Sequence, residues 1–100
     1  MKCIVLLAIG LVASAVYTSV HAAKMNIVTT TTMVTDMVKE VGGDRVNVVG
    51  LMGPGVDPHL YKPASGDVVK LQRAKVIFYS GLMFEGRMTD LFFRMARAGK

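Results

Sequence analysis

The chain has no tryptophan and only three tyrosines among its 100 residues, so it offers no aromatic platform on which nucleic-acid bases could stack. It also lacks a basic stripe. Its 12 Lys and Arg residues face 7 Asp and Glu, and the basic residues from Lys39 to Arg97 are scattered and interleaved with acids. That pattern reads as solvated helix faces, and no nucleic-acid partner is expected. No Ser-His-Asp set, HExxH, P-loop or GxGxxG is present, so nothing positive points to an enzyme. Cysteine occurs once, as Cys3, and only three prolines are present. The position of each is informative.

Cys3 stands near the start of an apolar run of 14 residues, 3–16, which follows the positive start Met1-Lys2. Tyr17-Thr18-Ser19 then turns polar, and Val20-His21-Ala22 places small residues three and one before a cut. This is the pattern of a secretory signal peptide, expected over residues 1–22. The competing reading, a membrane anchor, needs about 20 apolar residues, more than the run supplies. A lipid-attachment cysteine should follow the apolar run rather than precede it, so no lipid anchor is expected. Cleavage would leave residues 23–100 without cysteine, hence without a disulfide or a thiolate metal ligand, and would lower the net charge from +5 to +4 by taking Lys2.

The rest of the chain alternates. Residues 26–30 read as a strand of Ile, Val and Thr. Met33, Val34, Met37, Val38 and Val41 recur at helical spacing, with Thr31 or Thr32 to cap the start and Gly42-Gly43 to end it. Residues 46–52 form a second strand, apolar enough to expect burial on both faces. Ser65 is placed to cap a second helix with Asp67 in its first turn, and Val68, Val69, Leu71 and Ala74 supply its apolar side. A third strand spans 76–79, and a third helix 88–98 with Met88, Leu91, Phe92 and Met95 as its buried stripe and Gly99 as its stop. The predicted class is α/β, with β-α-β-α-β-α order and a parallel sheet. Most of the eight methionines fall in the helical stripes or open the chain or a strand, and core packing is their expected role.

All three prolines, Pro54, Pro58 and Pro63, fall in one stretch, MGPGVDPHLYKPASGD (residues 52–67), together with Gly53, Gly55 and Gly66. At its centre is His59, the one histidine outside the expected leader. In parallel α/β sheets, ligands bind at the carboxyl ends of strands, in loops such as this one. Asp57, preceding a proline, is pushed towards extended geometry, and Pro58 fixes its own φ. His59 is thus presented with few conformations, so little entropy is lost on binding. A metal ligand, an acid-base group and a plain loop histidine all remain open for it. A zinc site wants three or four protein ligands, and Asp57 is too near in sequence to ligate easily beside His59.

Residues 51–86 resemble the start of the zinc/manganese solute-binding proteins of bacterial ABC importers, the TroA-like or adhesin-like group. The core element is Gly-x-Asp-Pro-His-x-Tyr-x-Pro at residues 55–63, followed by the Ser-Gly-Asp helix start, the apolar third strand, and Gly-Leu-x-x-Glu-Gly at 81–86. Residues 29–48 are similar to the family's first helix and second strand. The resemblance implies two α/β lobes bridged by a long helix, with one metal ion in the cleft. It implies that His59 is the first metal ligand, that the others lie beyond Lys100, and that residues 23–100 are the N-terminal part of the first lobe, the C-terminal lobe being absent. Met83 stands where many zinc-type relatives carry a histidine that is not usually a ligand.

The function this resemblance implies is the periplasmic, monomeric binding component of an ABC importer. It would capture Zn2+ or Mn2+ as the transported ion and deliver it to a membrane permease, the chain being a fragment or a truncated product. A secreted adhesin using the same lobe is the alternative, and a secreted metal-dependent hydrolase is disfavoured because no general base is evident beside His59.

Overall fold

The computed structural model describes residues 22–99. The expected leader therefore lies, apart from Ala22, outside the described residues. The elements follow the expected order: β1 (Met25–Thr29), α1 (Thr32–Gly42), β2 (Val46–Gly50), α2 (Ser65–Arg73), β3 (Val76–Phe78) and α3 (Met88–Arg97), with single 3-10 turns at Gly43–Arg45 and Pro58–Leu60. The three strands form one parallel sheet in the order β2-β1-β3. Met25 pairs with Val46 and Thr29 with Gly50 on one side of β1, and Ile27 pairs with Val76 on the other.

That order corrects the expectation for the second strand. β2 is an edge strand, not one buried on both faces, and alternates half-buried with exposed residues, ending in exposed Val49 and Gly50. Only β1 is central, which is why Ile27, Val28 and Thr29 are buried while the apolar flanking strands are not. Phe78 and Tyr79, at the end of β3, are likewise exposed.

Thr31 caps α1: its Oγ1 accepts the Val34 N–H at 3.3 Å. The helix ends at Gly43, whose φ of 54° turns the chain and directs its N–H to the Lys39 carbonyl. Within the helix the Thr35 hydroxyl donates to the Thr31 carbonyl at 2.8 Å, so the 2.6 Å contact with Thr29 is donated by the Thr29 hydroxyl. This ties α1 to the end of β1 through buried, satisfied hydroxyls. The apolar stripe of α1 is covered only in part. Val34 is buried and Val38 half-buried, but Met33, Met37 and Val41 are exposed. Met37, Val38 and Val41 line an open recess of about 270 Å³ with Ile27 and Phe78.

α2 starts differently from the expectation. Ala64 is the N-cap, and Ser65 is already the first helical residue. Asp67 reaches back, its Oδ2 accepting the Ala64 N–H at 2.9 Å. A carboxylate at that position also meets the positive end of the helix dipole.

The core gathers Val28, Met52, Leu71, Ala74 and Met88, with Leu91, Phe92 and Met95 packed against it. Met52, Met88 and Met95 thus have the expected packing role, while Met25, Met33, Met37 and Met83 are exposed. Among the described residues, no helix is long and apolar enough to cross a membrane.

Candidate metal-binding site

The loop after β2 begins on fixed ground. Beyond the strand, the Leu51 and Met52 N–H groups still donate to the Thr29 and Thr30 carbonyls at 2.9 and 3.0 Å, and the Met52 side chain enters the core. The chain turns through Gly53–Val56, with Gly55 at φ 79°. Asp57 then adopts the extended conformation expected before a proline, and Pro58 opens the turn that carries His59. Tyr61 closes the loop. Its hydroxyl donates to Asp67 Oδ2 at 2.6 Å, so the loop's end is bound to the start of α2. Burial, then the hydrogen bond to Asp67, then that carboxylate's charge raise the Tyr61 phenol to about 12.

His59 projects from this frame with its side chain 61% exposed. Asp57 Oδ1 accepts the His59 backbone N–H at 2.9 Å and lies 3.0 Å from ring Nδ1. The backbone hydrogen bond, then the ring hydrogen bond, hold the exposed Asp57 carboxyl below its ordinary range. With Nδ1–H directed at a carboxylate, the imidazole is set in the tautomer whose Nε2 lone pair is available. That is the arrangement of a carboxylate–histidine pair addressing a metal. Asp57 is therefore a hydrogen-bond partner that orients the His59 ring.

A second loop supports the ring from the side. The Phe84 ring meets the imidazole edge-on, with centroids 4.8 Å apart and planes at 66°. At Gly86, φ is 53°, and the backbone approaches His59 so closely that a Cβ there would collide with the His59 carbonyl. Between them, Glu85 is fully buried. Its Oε1 accepts the Thr30 hydroxyl at 2.8 Å and the Ser80 N–H, and its Oε2 accepts the Gly81 N–H at 3.1 Å.

The structure thus places His59 at the carboxyl end of the sheet and brings Asp57, Phe84 and Gly86 to it. It leaves the Met83 side chain exposed, on a backbone in the left-handed conformation. Among the described residues no group of three or more His, Cys, Asp or Glu converges, so a metal ion here would meet one oriented imidazole. The roles of Asp57 as orienter and of Phe84, Glu85 and Gly86 as neighbours are not visible in residue spacing. The nearest signal is the Gly-Leu-x-x-Glu-Gly element, which marks the segment without giving its contacts.

A model of the zinc-uptake complex component A periplasmic family, ZnuA, matches residues 27–99. The manganese-binding lipoprotein MntA of Bacillus subtilis is 48% identical over 68 residues, covering 68% of this chain and 22% of that protein. The zinc-binding protein TroA of Treponema pallidum is 46% identical over 69 residues, covering 69% and 22%. Its solved structure, a periplasmic zinc-binding protein, superposes with a TM-score of 0.71 at 45% identity, covering 73% of this chain and 26% of that one. The manganese ABC transporter substrate-binding lipoprotein scaA of Streptococcus gordonii is 37% identical over 68 residues, again 68% and 22%. The chain spans about a fifth of the length of these curated relatives. The word lipoprotein in two of the three names runs against the expected absence of a lipid anchor, and Cys3 lies outside the described residues. None of the three is named as an adhesin.

Proposed function

The chain belongs to the ZnuA family of periplasmic zinc-uptake components, and on that premise we propose that it serves as the extracytoplasmic binding component of an ABC importer for a divalent transition metal, Zn2+ or Mn2+. The captured ion is the transported substrate, and a membrane permease is the partner that receives it. Residues 23–100 act as the N-terminal part of the first α/β lobe, and residues 1–22 direct export.

His59 is the metal ligand this part contributes, through Nε2. The observation that carries the reading is the Asp57–His59 pair, which fixes both the tautomer and the direction of an exposed imidazole on a proline-stiffened loop. One imidazole leaves the other coordination positions of a cation to water or to further groups. The affinity of this chain alone is therefore expected to be weak and unselective between Zn2+ and Mn2+. The two similarities, 48% to a manganese-binding and 46% to a zinc-binding protein, are as even-handed as that site.

Deleting the gene and measuring cellular zinc and manganese by elemental mass spectrometry in metal-poor medium tests the proposal. Lower accumulation of one of the two ions is expected. Unchanged accumulation of both would contradict it. For the leader, N-terminal sequencing of the exported protein is expected to start at Ala23 or within a residue or two, and a start at an acylated Cys3 would contradict it.

A further inference from the structure

We infer that Glu85 is a positioning residue for the His59 imidazole: through its buried carboxylate it fixes the loop whose Phe84 and Gly86 hold the ring and the backbone of His59. The inference rests on the reading of His59 as a metal ligand and adds to it the group that holds the ligand in place.

Glu85 is fully buried, with no exposed surface. A carboxylate so placed needs donors, and it has three: the Thr30 hydroxyl at the end of β1, and the Ser80 and Gly81 N–H groups at the start of the loop after β3. The carboxylate therefore joins the central strand to the loop from within. Its two sequence neighbours both touch His59, Phe84 at the ring and Gly86 at the backbone carbonyl. A displacement of residue 85 moves both contacts together.

The loop would not hold this course by itself. Gly81, Leu82 and Met83 lie at φ 82°, 51° and 65°, so two consecutive residues with side chains occupy the left-handed region. That conformation is unfavourable for L-residues and persists where the surroundings enforce it. The Leu82 and Met83 side chains are exposed and supply no packing in return. The enforcing contacts are the bonds to Glu85, together with the loop's own turns, Phe84 N–H to the Gly81 carbonyl at 2.9 Å and Gly86 N–H to the Met83 carbonyl at 3.0 Å.

The test uses the full 100-residue chain, isotope-labelled, and reads the assigned His59 ring resonances by NMR, first without metal and then during titration with Zn2+. The ring lies beside Phe84, so its resonances carry an aromatic ring-current shift that reports the contact directly. In Glu85→Gln, one of the two oxygens is replaced by an amide nitrogen, which donates and cannot accept. The His59 resonances are expected to move towards those of a free histidine, and the Zn2+ affinity read from them to fall about 10-fold, the loss typical when a group that orients a ligand is removed. Phe84→Leu should abolish the same shift with Glu85 in place. A folded Glu85→Gln chain whose His59 resonances and Zn2+ midpoint match the unaltered chain would overturn the inference. If Glu85→Gln does not fold, Thr30→Val decides: removing one donor should move the His59 resonances in the same direction by less, and no movement would overturn it. The metal-free shift separates this from the functional reading. Zn2+ binding indifferent to His59→Ala would end the ligand assignment while leaving the positioning result standing on its own readout.

Discussion

The Asp57 carboxylate serves His59 twice with one atom, Oδ1, which lies 2.9 Å from the backbone nitrogen and 3.0 Å from ring Nδ1. The first contact shapes the turn and the second sets the tautomer. Asp57→Asn keeps an oxygen for the backbone N–H but replaces the charged partner of the ring with a neutral one. The expected outcome is an unchanged far-ultraviolet circular dichroism spectrum and a Zn2+ affinity about 10-fold lower. Equal affinity of the two chains by NMR titration would show that the pair does not tune the imidazole.

Gly86 and Gly55 both have positive φ, 53° and 79°, but only Gly86 approaches another backbone. Replacing Gly55 by alanine meets no neighbouring atom, so its cost is that of the left-handed conformation alone, roughly 1–2 kcal/mol. Gly86→Ala adds a collision with the His59 carbonyl and should cost more. Denaturant unfolding of the two variants checks the order. A Gly86 variant as stable as the Gly55 variant would mean that the His59 turn yields readily.

Much of this was legible in the sequence because it depends on local chemistry. The strand and helix order, the Thr31 cap, the Gly43 stop and the buried face of α3 follow from periodicity and from residues acting on their immediate neighbours. The proline-rich loop and His59 stood out for the same reason. The sequence could not show which strands would lie at the edges, because an apolar strand reads alike whether or not a second sheet neighbour exists. β2 and β3 turned out to flank β1. Nor could Ser65 be told from Asp67 as the group serving the start of α2, since both are good acceptors two residues apart and the loop geometry decides. Glu85 was hidden most deeply. Its donors come from residues 30, 80 and 81, and the partner 55 positions away exists only once β1 and β3 are paired.

Tyr61 links the far end of the His59 loop to Asp67, and the link needs the phenol proton. Its pKa rises from 10.0 to about 12 in the folded chain. A group whose folded value is the higher contributes stability that is whole below the unfolded value and is lost above it. The stability difference between the unaltered chain and Tyr61→Phe should therefore be constant up to about pH 10 and shrink between pH 10 and about 12. Denaturant midpoints collected across that window check it. A difference that stays constant through the window would show that the hydroxyl contributes nothing through its proton.

Whether His59 takes the metal is decided most directly by titrating Zn2+ into the full chain and into His59→Ala, observed by calorimetry and by the assigned side-chain resonances at neutral pH. The unaltered chain should bind weakly, with the largest changes at His59, and His59→Ala should lose that response. In a longer protein carrying the same lobe, the substitution should cost about 10-fold or more in affinity, since a direct ligand matters at least as much as the groups that orient it. Identical Zn2+ binding by the unaltered and His59→Ala chains would contradict the account.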